Sequence, residues 1–312
     1  MYDVICFGSA TEDIFIDTGL REVNKKIVYP VGTKIPIKSL NFGIGGVGIN
    51  VSVGLSRMNL KVAYIGKMGN DEAGSRILDC LKKEKIDFIG TKTQGVTGYG
   101  FILDTYERER TILTYHGLTD NFKFNEINKN KIKTKWMFFS SLRGESIKTE
   151  DKMVQWCKKN GIKVAFNMDA KVVHKAKLNL DRILKNLDLI ILNKEEAQSI
   201  TKGEDPKTLV RGIHNLGTKM VVLTDGRDPA YAFDGKKIYT LIPHKGIKLV
   251  ERTGAGDAFT SGFLAGYIKT QDIEKSLKIA SLNSESVIQH FGAHNKLLKW
   301  DEVNKKLSSI KN

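Results

Sequence analysis

The segment Thr253-Gly254-Ala255-Gly256-Asp257 places a carboxylate directly after three small residues, where a segment of helical period begins. The first N–H groups of a helix have no partner within the helix and carry partial positive charge. Gly254, Ala255 and Gly256 let an anion approach those groups closely, so they predict an anion hole for a phosphate or an oxyanion. From the first turn, Asp257 is placed to take a proton from a substrate hydroxyl. Alternatively, Asp257 is only a capping residue, because Asp is common at helix N-termini.

A second glycine-rich segment runs from Gly43 to Asn50 and reads Gly-Ile-Gly-Gly-Val-Gly-Ile-Asn. It satisfies the G-x-G-x-x-G spacing of dinucleotide-binding loops, but it follows an irregular-looking stretch, which argues against a nicotinamide cofactor. We interpret Gly45 and Gly46 as part of a turn that brings the backbone close to a polar ligand. Asn50, at the head of the next helix, can both donate to and accept from sugar hydroxyls.

Polar residues also follow two of the apolar segments that look like strands. Asp13 comes shortly after Val4–Phe7 and is placed to bind hydroxyls, because ligands of open α/β sheets lie beyond the carboxyl ends of the strands. Asn193 and Glu196 follow Leu187–Leu192 and suit the water shell of a Mg²⁺ ion. The alternative for this pair is a capping box, with Asn at the cap and Glu three residues later.

A third strand-like segment leads into a possible phosphate-binding loop. Thr224, Gly226 and Arg227 offer a hydroxyl, an amide and a guanidinium, all of which bind phosphate oxygens. The Walker A motif is absent from the sequence, so this is not a P-loop protein. His290 and His294 are four residues apart, but Gly292 between them and the lack of a nearby third ligand disfavour a zinc site.

The elements that must position these residues alternate between short apolar segments and segments of helical period. This alternation predicts βαβ units and a mostly parallel central sheet flanked by helices. The candidate strands are Val4–Phe7, Val62–Ile65, Trp136–Ser140, Val164–Asn167, Leu187–Leu192 and Met220–Leu223. The candidate helices are Asn50–Arg57, Ala73–Lys83, Lys152–Lys159, Leu180–Leu184, Lys194–Ile200, Pro206–Asn215, Ala255–Tyr267 and Ile273–His290.

Two regions, residues 14–45 and 97–117, break this alternation with short extended stretches. The second predicts a β-hairpin with a charged turn around Glu107–Arg110. We predict that the two regions form a small antiparallel sheet that projects from the main body. A sheet of this kind suits a lid that closes over an active site.

Composition and charge limit the classes of function. The 312 residues carry 50 Lys and Arg against 35 Asp and Glu, a net charge of +15, but the excess is scattered lysine, which indicates a solvated surface and no nucleic-acid partner. No apolar run approaches the roughly 18 residues of a membrane helix, and the N-terminus resembles a strand more than a signal peptide. Three widely spaced cysteines argue against a disulfide framework, so we expect a cytoplasmic protein.

Taken in order, these motifs resemble the ribokinase-like (PfkB) family of carbohydrate and nucleoside kinases over essentially the whole chain. The resemblance implies one kinase domain over residues 1–312, with a Rossmann-like α/β ribokinase fold and a small β-sheet lid. It also implies transfer of the ATP γ-phosphoryl group to an alcohol, such as the hydroxymethyl group of a small sugar. The matching segments are Gly8…Asp13, Gly45-Gly46…Asn50, Gly66–Gly74, Asn193…Glu196, Thr224-Asp225-Gly226 and Thr253-Gly254-Ala255-Gly256-Asp257, the last being the family's most specific signature.

The resemblance also implies a role for each matching position. It makes Asp257 the catalytic base and Gly254, Ala255 and Gly256 the anion hole. The substrate would be held by Asp13, Gly45, Gly46 and Asn50. The nucleotide would lie against Asn193, Glu196, Thr224, Gly226 and Arg227, with Glu196 reaching Mg²⁺ through water.

The sequence departs from the family pattern in several places. Glu251-Arg252 stands where members usually have Asp-Thr; because that Asp helps form a monovalent-cation site in many members, a dependence on K⁺ is left open. Val47 replaces the Lys of the ribokinase glycine turn, and Pro229 stands where Gly is common. The segment Ser140–Glu145 offers no clear counterpart of the glutamate that contacts the sugar in ribokinase.

Three substrate classes and one non-enzymatic role follow from this resemblance. We expect a small sugar first. A nucleoside, such as adenosine, cytidine or guanosine, or a sugar phosphate are the alternatives. A non-catalytic regulatory or nucleic-acid-binding protein on the same fold would not need the intact signature at Gly254–Asp257. An exposed sheet also predicts a homodimer through the lid. The side chains that would stack on a nucleoside base are Phe15, Tyr99, Phe101 and Tyr115, and those that would neutralise a sugar phosphate are Arg108, Arg110 and Arg143.

Overall fold

The central element of the fold is a large, mostly parallel sheet. The computed structural model describes residues 1–106, 110–169, 172, 175, 178, 180–290 and 292–309. Within these residues the sheet has nine strands, and only the two strand pairs at one edge are antiparallel. In spatial order the strands are β15 (Ile238–Leu241), β14 (Asp228–Phe233), β13 (Val221–Asp225), β12 (Leu189–Asn193), β11 (Lys163–Asn167), β10 (Thr134–Ser140), β1 (Tyr2–Phe7), β4 (Val62–Ile65) and β6 (Asp87–Phe88).

Helices cover both faces of this sheet, as the alternating pattern predicts. Successive residues of β1 point into different apolar cores: Val4 and Cys6 into one, Ile5 and Phe7 into the other. In the described chain the helices are α1 (Val47–Arg57), α2 (Glu72–Lys83), α3 (Ser146–Lys159), α4 (Leu180–Leu184), α5 (Lys194–Ile200), α6 (Pro206–Asn215), α7 (Ala255–Thr270), α8 (Ile273–Val287) and α9 (Trp300–Ser309). The first core is closed by α1, α2, α7, α8 and α9, and the second by α3, α4, α5 and α6.

A separate small sheet is formed by the two regions that break the alternation. Its four strands, counted over the described residues, are in spatial order β3 (Ser39–Gly45), β2 (Thr11–Asp17), β8 (Gly98–Asp104) and β9 (Arg110–Tyr115). The predicted hairpin is confirmed as β8–β9, although its turn at Glu107–Glu109, with Arg108, lies outside the described residues.

The prediction of a wholly antiparallel small sheet is wrong, because β2 and β8 pair in parallel. Parallel neighbours need a long crossover connection, and here the chain between them includes α1 and α2. The sheet also begins earlier than predicted, at Thr11, so Asp13 lies inside strand β2.

The motif Gly66–Gly74 joins the main body to the small sheet. It forms β5 (Lys67–Gly69), which pairs with β7 (Thr91–Thr93), and it then begins α2. Asp71 caps α2 by accepting from the Gly74 amide at 2.9 Å, and it also accepts from the Thr97 amide at 2.8 Å, directly before β8. The carboxylate therefore fixes the start of β8 to the start of α2. None of the helices in the described part of the chain is both long and apolar enough to cross a membrane.

Candidate active site

The predicted anion-hole residues Gly254, Ala255 and Gly256 lie at the N-terminus of α7. Gly254 caps the helix at φ 77°, and a methyl group there would lie 2.6 Å from the Cβ of Ala293, so glycine is required. The Ala255 amide donates to the carbonyl of Arg252 at 3.2 Å, and no acceptor in the described chain meets the amides of Gly256 and Asp257. A Cβ at Gly256 would meet no atom within 4 Å, so a ligand has room to approach those two N–H groups.

Asp257 lies in the first turn of α7 and is held by the side chain of Asn50. The Asn50 Nδ2 donates to Oδ2 of Asp257 at 2.7 Å, across 207 residues of sequence. Burial raises the pKa of Asp257 to about 6, against the effect of the Asn50 hydrogen bond. A carboxylate with this pKa is ionised at neutral pH and yet binds a proton more strongly than an ordinary Asp, which suits a general base.

Asp13 reaches the same site from strand β2 of the small sheet. A side chain at Gly45 or Gly100 would overlap its carboxyl group, so these two glycines make its position possible. Burial raises the pKa of Asp13 to about 6, as do the charges of Asp257 and Glu251, while the hydrogen bond from Thr11 at 2.9 Å lowers it. Since the charges of Asp257 and Glu251 act on Asp13, the three carboxylates lie near one another.

The glycine-rich segment Gly43–Asn50 is a junction between a strand and a helix. Gly45 ends β3, and Gly46, at φ 91°, caps α1 in close contact with the backbone of Ser9 and Ala10. The stretch before the glycines is therefore a regular strand, and our description of it as irregular is wrong. This junction brings the Asn50 side chain to Asp257.

A cleft of about 570 Å³ lies between the small sheet and the loop Gly292–Asn295. Asp13 lines it on one side and His294 on the other. A volume of this order suits a small molecule of monosaccharide size. The lining residues are Asp13, Phe15, Asp17, Ser39, Asn41, Phe42, Gly43, Ile44, Asp104, Gly292, Ala293, His294 and Asn295.

Asn193 and Glu196 form the capping box that was the alternative to a metal site. The Glu196 amide donates to Oδ1 of Asn193 at 2.9 Å, and the Asn193 amide donates to Oε2 of Glu196 at 2.8 Å. Burial raises the pKa of Glu196 to about 7, as do the charges of Asp169, Glu195 and Asp257, against the effect of the Asn193 amide. The described residues contain no group of three or more side chains able to hold a metal ion. The capping box uses only Oε2 of Glu196, so Oε1 can accept from a water molecule of a hydrated Mg²⁺ ion. The ion would also offset the negative charges that act on Glu196.

The other nucleotide-binding candidates lie at the carboxyl end of the neighbouring strand. Thr224 pairs with Asn193 across β12 and β13, so these two predicted residues are brought together. Gly226 and exposed Arg227 form a tight turn into β14, with Gly226 at φ 60° and open space around it. The predicted loop is thus a hairpin that begins the antiparallel edge of the sheet.

Known proteins resemble this chain over most of its length. Residues 1–300 match the family described as pfkB family carbohydrate kinase. The chain belongs to this family. It is 28% identical over 250 residues to an uncharacterized sugar kinase of Archaeoglobus fulgidus, covering 77% of this chain and 96% of that protein. It is 29% identical over 293 residues to a 5-dehydro-2-deoxygluconokinase of Clostridium botulinum, covering 86% of this chain and 85% of that protein.

The fold of this carbohydrate kinase is that of ribokinase. The structure of Arabidopsis thaliana ribokinase, complexed with ribose and ATP, superposes with a TM-score of 0.83 at 19% identity and covers 98% of both chains. The predicted ribokinase fold, with its mostly parallel sheet and a separate small sheet, is confirmed.

Glu251, where the kinase departs from the family pattern, holds two parts of the site together. Its Oε1 accepts from Arg110 of β9 at 2.9 Å, and its Oε2 accepts from the Gly292 amide at 2.8 Å. In the sequence Glu251 stands out only as a departure from the family pattern, because its partner Arg110 is 141 residues away. The carboxylate therefore links the small sheet to the loop that carries His294.

Proposed function

We propose that this kinase transfers the γ-phosphoryl group of ATP to a hydroxymethyl group of a small neutral sugar, with Asp257 as the general base. The observation that carries the proposal is the pairing of a raised-pKa carboxylate with open N–H groups at the start of α7. A base beside an anion-binding helix end is what transfer of a phosphoryl group to an alcohol requires.

The reaction follows from the residues around Asp257. Asp13 and the cleft wall hold the sugar hydroxyls. Asp257 accepts the proton of the attacking hydroxyl as its oxygen bonds to the γ-phosphorus, and the bond to the bridging oxygen breaks and releases ADP. The amides of Gly256 and Asp257 stabilise the negative charge on the transferred group.

The nucleotide lies against the carboxyl ends of β12 and β13 in this proposal. Asn193, Thr224, Gly226 and Arg227 contact the phosphates and the neighbouring part of the nucleotide. The Thr253 hydroxyl, buried without a partner in the described chain, offers another phosphate contact next to the anion hole. A Mg²⁺ ion held through water by Glu196 supplies neutralisation of phosphate charge when it is bound.

The cleft favours a neutral sugar over a sugar phosphate. Its lining includes Asp13, Asp17 and Asp104 but no Lys or Arg among the described residues. Two of the three arginines considered for a phosphate are engaged elsewhere: Arg110 with Glu251, and Arg143 at 3.6 Å from Asp169. The third, Arg108, lies outside the described residues. A second anion would meet mostly carboxylates in this cleft.

The small sheet also offers little for stacking on a nucleoside base. Asp13 pairs directly with Gly100, so the side chains of Tyr99 and Phe101 lie on the opposite face of the sheet. Tyr99 and Phe101 stack on each other there, with ring centroids 5.9 Å apart. Of the predicted stacking residues only Phe15 lines the cleft.

The test is ADP release from MgATP with a panel of acceptors. The panel holds ribose, fructose and other neutral sugars, 5-dehydro-2-deoxygluconate, nucleosides and sugar phosphates. We expect turnover with a neutral sugar and, in Asp257→Asn, a fall in kcat of about 10³-fold. Asp301→Asn, an exposed carboxylate at the start of α9, is the matched control and should leave kcat unchanged.

Two outcomes would contradict the proposal. Turnover restricted to sugar phosphates, nucleosides or the anionic 5-dehydro-2-deoxygluconate would reject the neutral sugar. Full activity of Asp257→Asn would remove Asp257 from the role of base, whatever the acceptor.

A further inference from the structure

The side chain of Asn50 is hydrogen-bonded at both ends. Its Nδ2 donates to Asp257 at 2.7 Å, and its Oδ1 lies 2.7 Å from Nε2 of His294. An ionised carboxylate only accepts, so the NH₂ end of the amide must face Asp257 and the oxygen must face His294. The contact with His294 is then a hydrogen bond only if Nε2 of the imidazole carries the proton.

His294 is itself held at two points by helix α1. Besides the Asn50 contact, Arg57 donates from Nη1 to the backbone carbonyl of His294 at 2.6 Å. The guanidinium is fixed in turn by Glu84, at 3.0 Å to Nε and 2.7 Å to Nη2. Asn50 and Arg57 are seven residues apart, about two helical turns, and so lie on one face of α1. The helix that presents Asn50 therefore also fixes the residue that orients it.

The surroundings keep the imidazole of His294 neutral. Burial lowers its pKa to about 4; the charge of Arg57 acts in the same direction and that of Glu84 in the opposite one. At neutral pH the ring carries one N–H, and the Asn50 contact assigns it to Nε2. The other charged groups around this site are Asp257 of α7, Asp13 of β2 and Glu251 before α7.

We propose that His294 is a positioning residue for the base of the phosphoryl transfer. Its Nε2–H fixes the Asn50 carboxamide in the one orientation that donates to Asp257, so that the second carboxylate oxygen stays available to the substrate hydroxyl. This inference rests on the proposed role of Asp257. Without His294, the amide is free to turn its oxygen toward the carboxylate, which removes a hydrogen bond and places two acceptors in contact.

The kinetic test compares His294→Leu, which removes the donor, with His294→Gln, which keeps a side-chain N–H. We expect kcat of His294→Leu to fall about tenfold and the acidic limb of its kcat/KM profile to move to higher pH, because Asp257 loses the Asn50 bond. His294→Gln should recover most of kcat. The control for disturbance of the loop is Ser286→Ala. It removes the 2.7 Å hydrogen bond from the Ser286 hydroxyl to the carbonyl of Lys296, directly after the loop Gly292–Asn295.

Three results would overturn the proposal. The first is an unchanged kcat and pH profile in His294→Leu. The second is equal impairment of the Leu and Gln variants. The third is a change confined to KM, which would make His294 a substrate contact, as its position in the cleft also allows.

A measurement without turnover separates this proposal from the proposed function. In protein labelled with ¹⁵N-histidine, the signals of His294, assigned by their loss in His294→Gln, should show protonated Nε2 and unprotonated Nδ1 at pH 7. Unprotonated Nε2 would overturn the positioning role even in an active kinase. If the protein shows the expected tautomer but has no activity on any alcohol, the Asn50 contact is supported. Only the proposed function is then contradicted.

Discussion

Asp257 and Asp13 are two carboxylates in one site that both bind protons more strongly than ordinary Asp side chains. Burial raises both pKa values to about 6, and the charge of Asp257 contributes to the shift of Asp13. Both groups must be ionised to work as proposed, one as base and the other as acceptor for sugar hydroxyls. Their titration thus sets the acidic limit of activity.

We expect kcat/KM to fall below about pH 6, more steeply than a single ionisation allows. The steepness arises because protonation of either carboxylate stops the reaction, and the two protonation steps belong to the interacting pair. Initial rates between pH 4.5 and 8.5 at constant ionic strength measure this. In Asp13→Asn the fall of kcat/KM on the acidic side should follow a single ionisation, and the KM for the sugar should be raised. A limb near pH 4 in the wild type would contradict the raised pKa values.

The raised pKa of Asp257 also predicts how the stability of the protein depends on pH. A carboxyl group whose pKa is raised on folding binds more protons when folded, so its contribution to stability falls as the pH rises from about 4 through 6. We expect Asp257→Asn to be more stable than the wild type at pH 8 by about 1–2 kcal/mol, after allowing for the partial exposure of the side chain. Urea unfolding at pH 8 and pH 4.5 measures it. A gain at pH 8 no larger than at pH 4.5 would contradict the prediction.

At this scale the sequence revealed groups whose chemistry is local. The position of Gly254 and Asp257 at a helix N-terminus was predictable because small residues stand directly before a segment of helical period. The role of His294 was not, because its partner Asn50 is 244 residues away and no short motif contains both. Sequence reasoning considered His294 only as a metal ligand.

At the scale of elements, the six predicted strands and most of the predicted helices agree with the structure to within about three residues, and α6 matches Pro206–Asn215 at both ends. Apolar runs and helical periods are repeated local signals, and α6 also has Asp205 as its cap and Pro at its first position. The antiparallel strands β14 and β15, the short edge strand β6, helix α9 and the parallel pairing of β2 with β8 were missed, and α3 begins six residues before the predicted start. Pairing direction depends on which strands meet in space, and a strand's own residues do not record it.

The ion pair between β9 and the segment before α7 predicts how the kinase responds to monovalent cations. Glu251 is already paired with the guanidinium of Arg110 and with the amide of Gly292. We therefore expect equal rates in K⁺, Na⁺ and choline salts of constant ionic strength, because the carboxylate that would hold a cation is engaged. Arg110→Gln should lower kcat several-fold, since it loosens the loop Gly292–Asn295. The exposed residue Arg211 on α6 supplies the control, Arg211→Gln.

A several-fold activation of the wild type by K⁺ over Na⁺ would show that Glu251 does not exclude a cation site. An unchanged kcat in Arg110→Gln would remove the ion pair from any part in holding the loop.

At the scale of the whole molecule, the small sheet has two faces of different character. Asp13, Phe15 and Asp17 line the cleft from one face. The other carries a direct cross-strand row of Phe42, Ile14, Phe101 and Leu113. Phe42 and Leu113, at the two ends of the row, are 61% and 54% exposed, and Ile14 and Phe101 between them are half-buried, so the row is partly open to solvent in a single chain. Contiguous exposed apolar surface of this kind marks an interaction site.

We expect the kinase to form a homodimer through this face, with the two small sheets packed against each other. A second copy fits because the row is continuous across the four strands and presents the same apolar surface to its partner. The pairing would bury Phe42 and Leu113 in both subunits, and Phe42, on the edge strand β3, would bring the interface to the border of the cleft. Light scattering at tens of micromolar should give twice the mass of the chain, and Phe42→Lys with Leu113→Lys should give a single chain. Val31→Lys replaces a residue that is also apolar and is fully exposed, but that lies outside the sheet, so it should leave the dimer intact.

A monomeric wild type at that concentration would reject the dimer. A dimer that persists in the variant with both lysines would place the interface elsewhere.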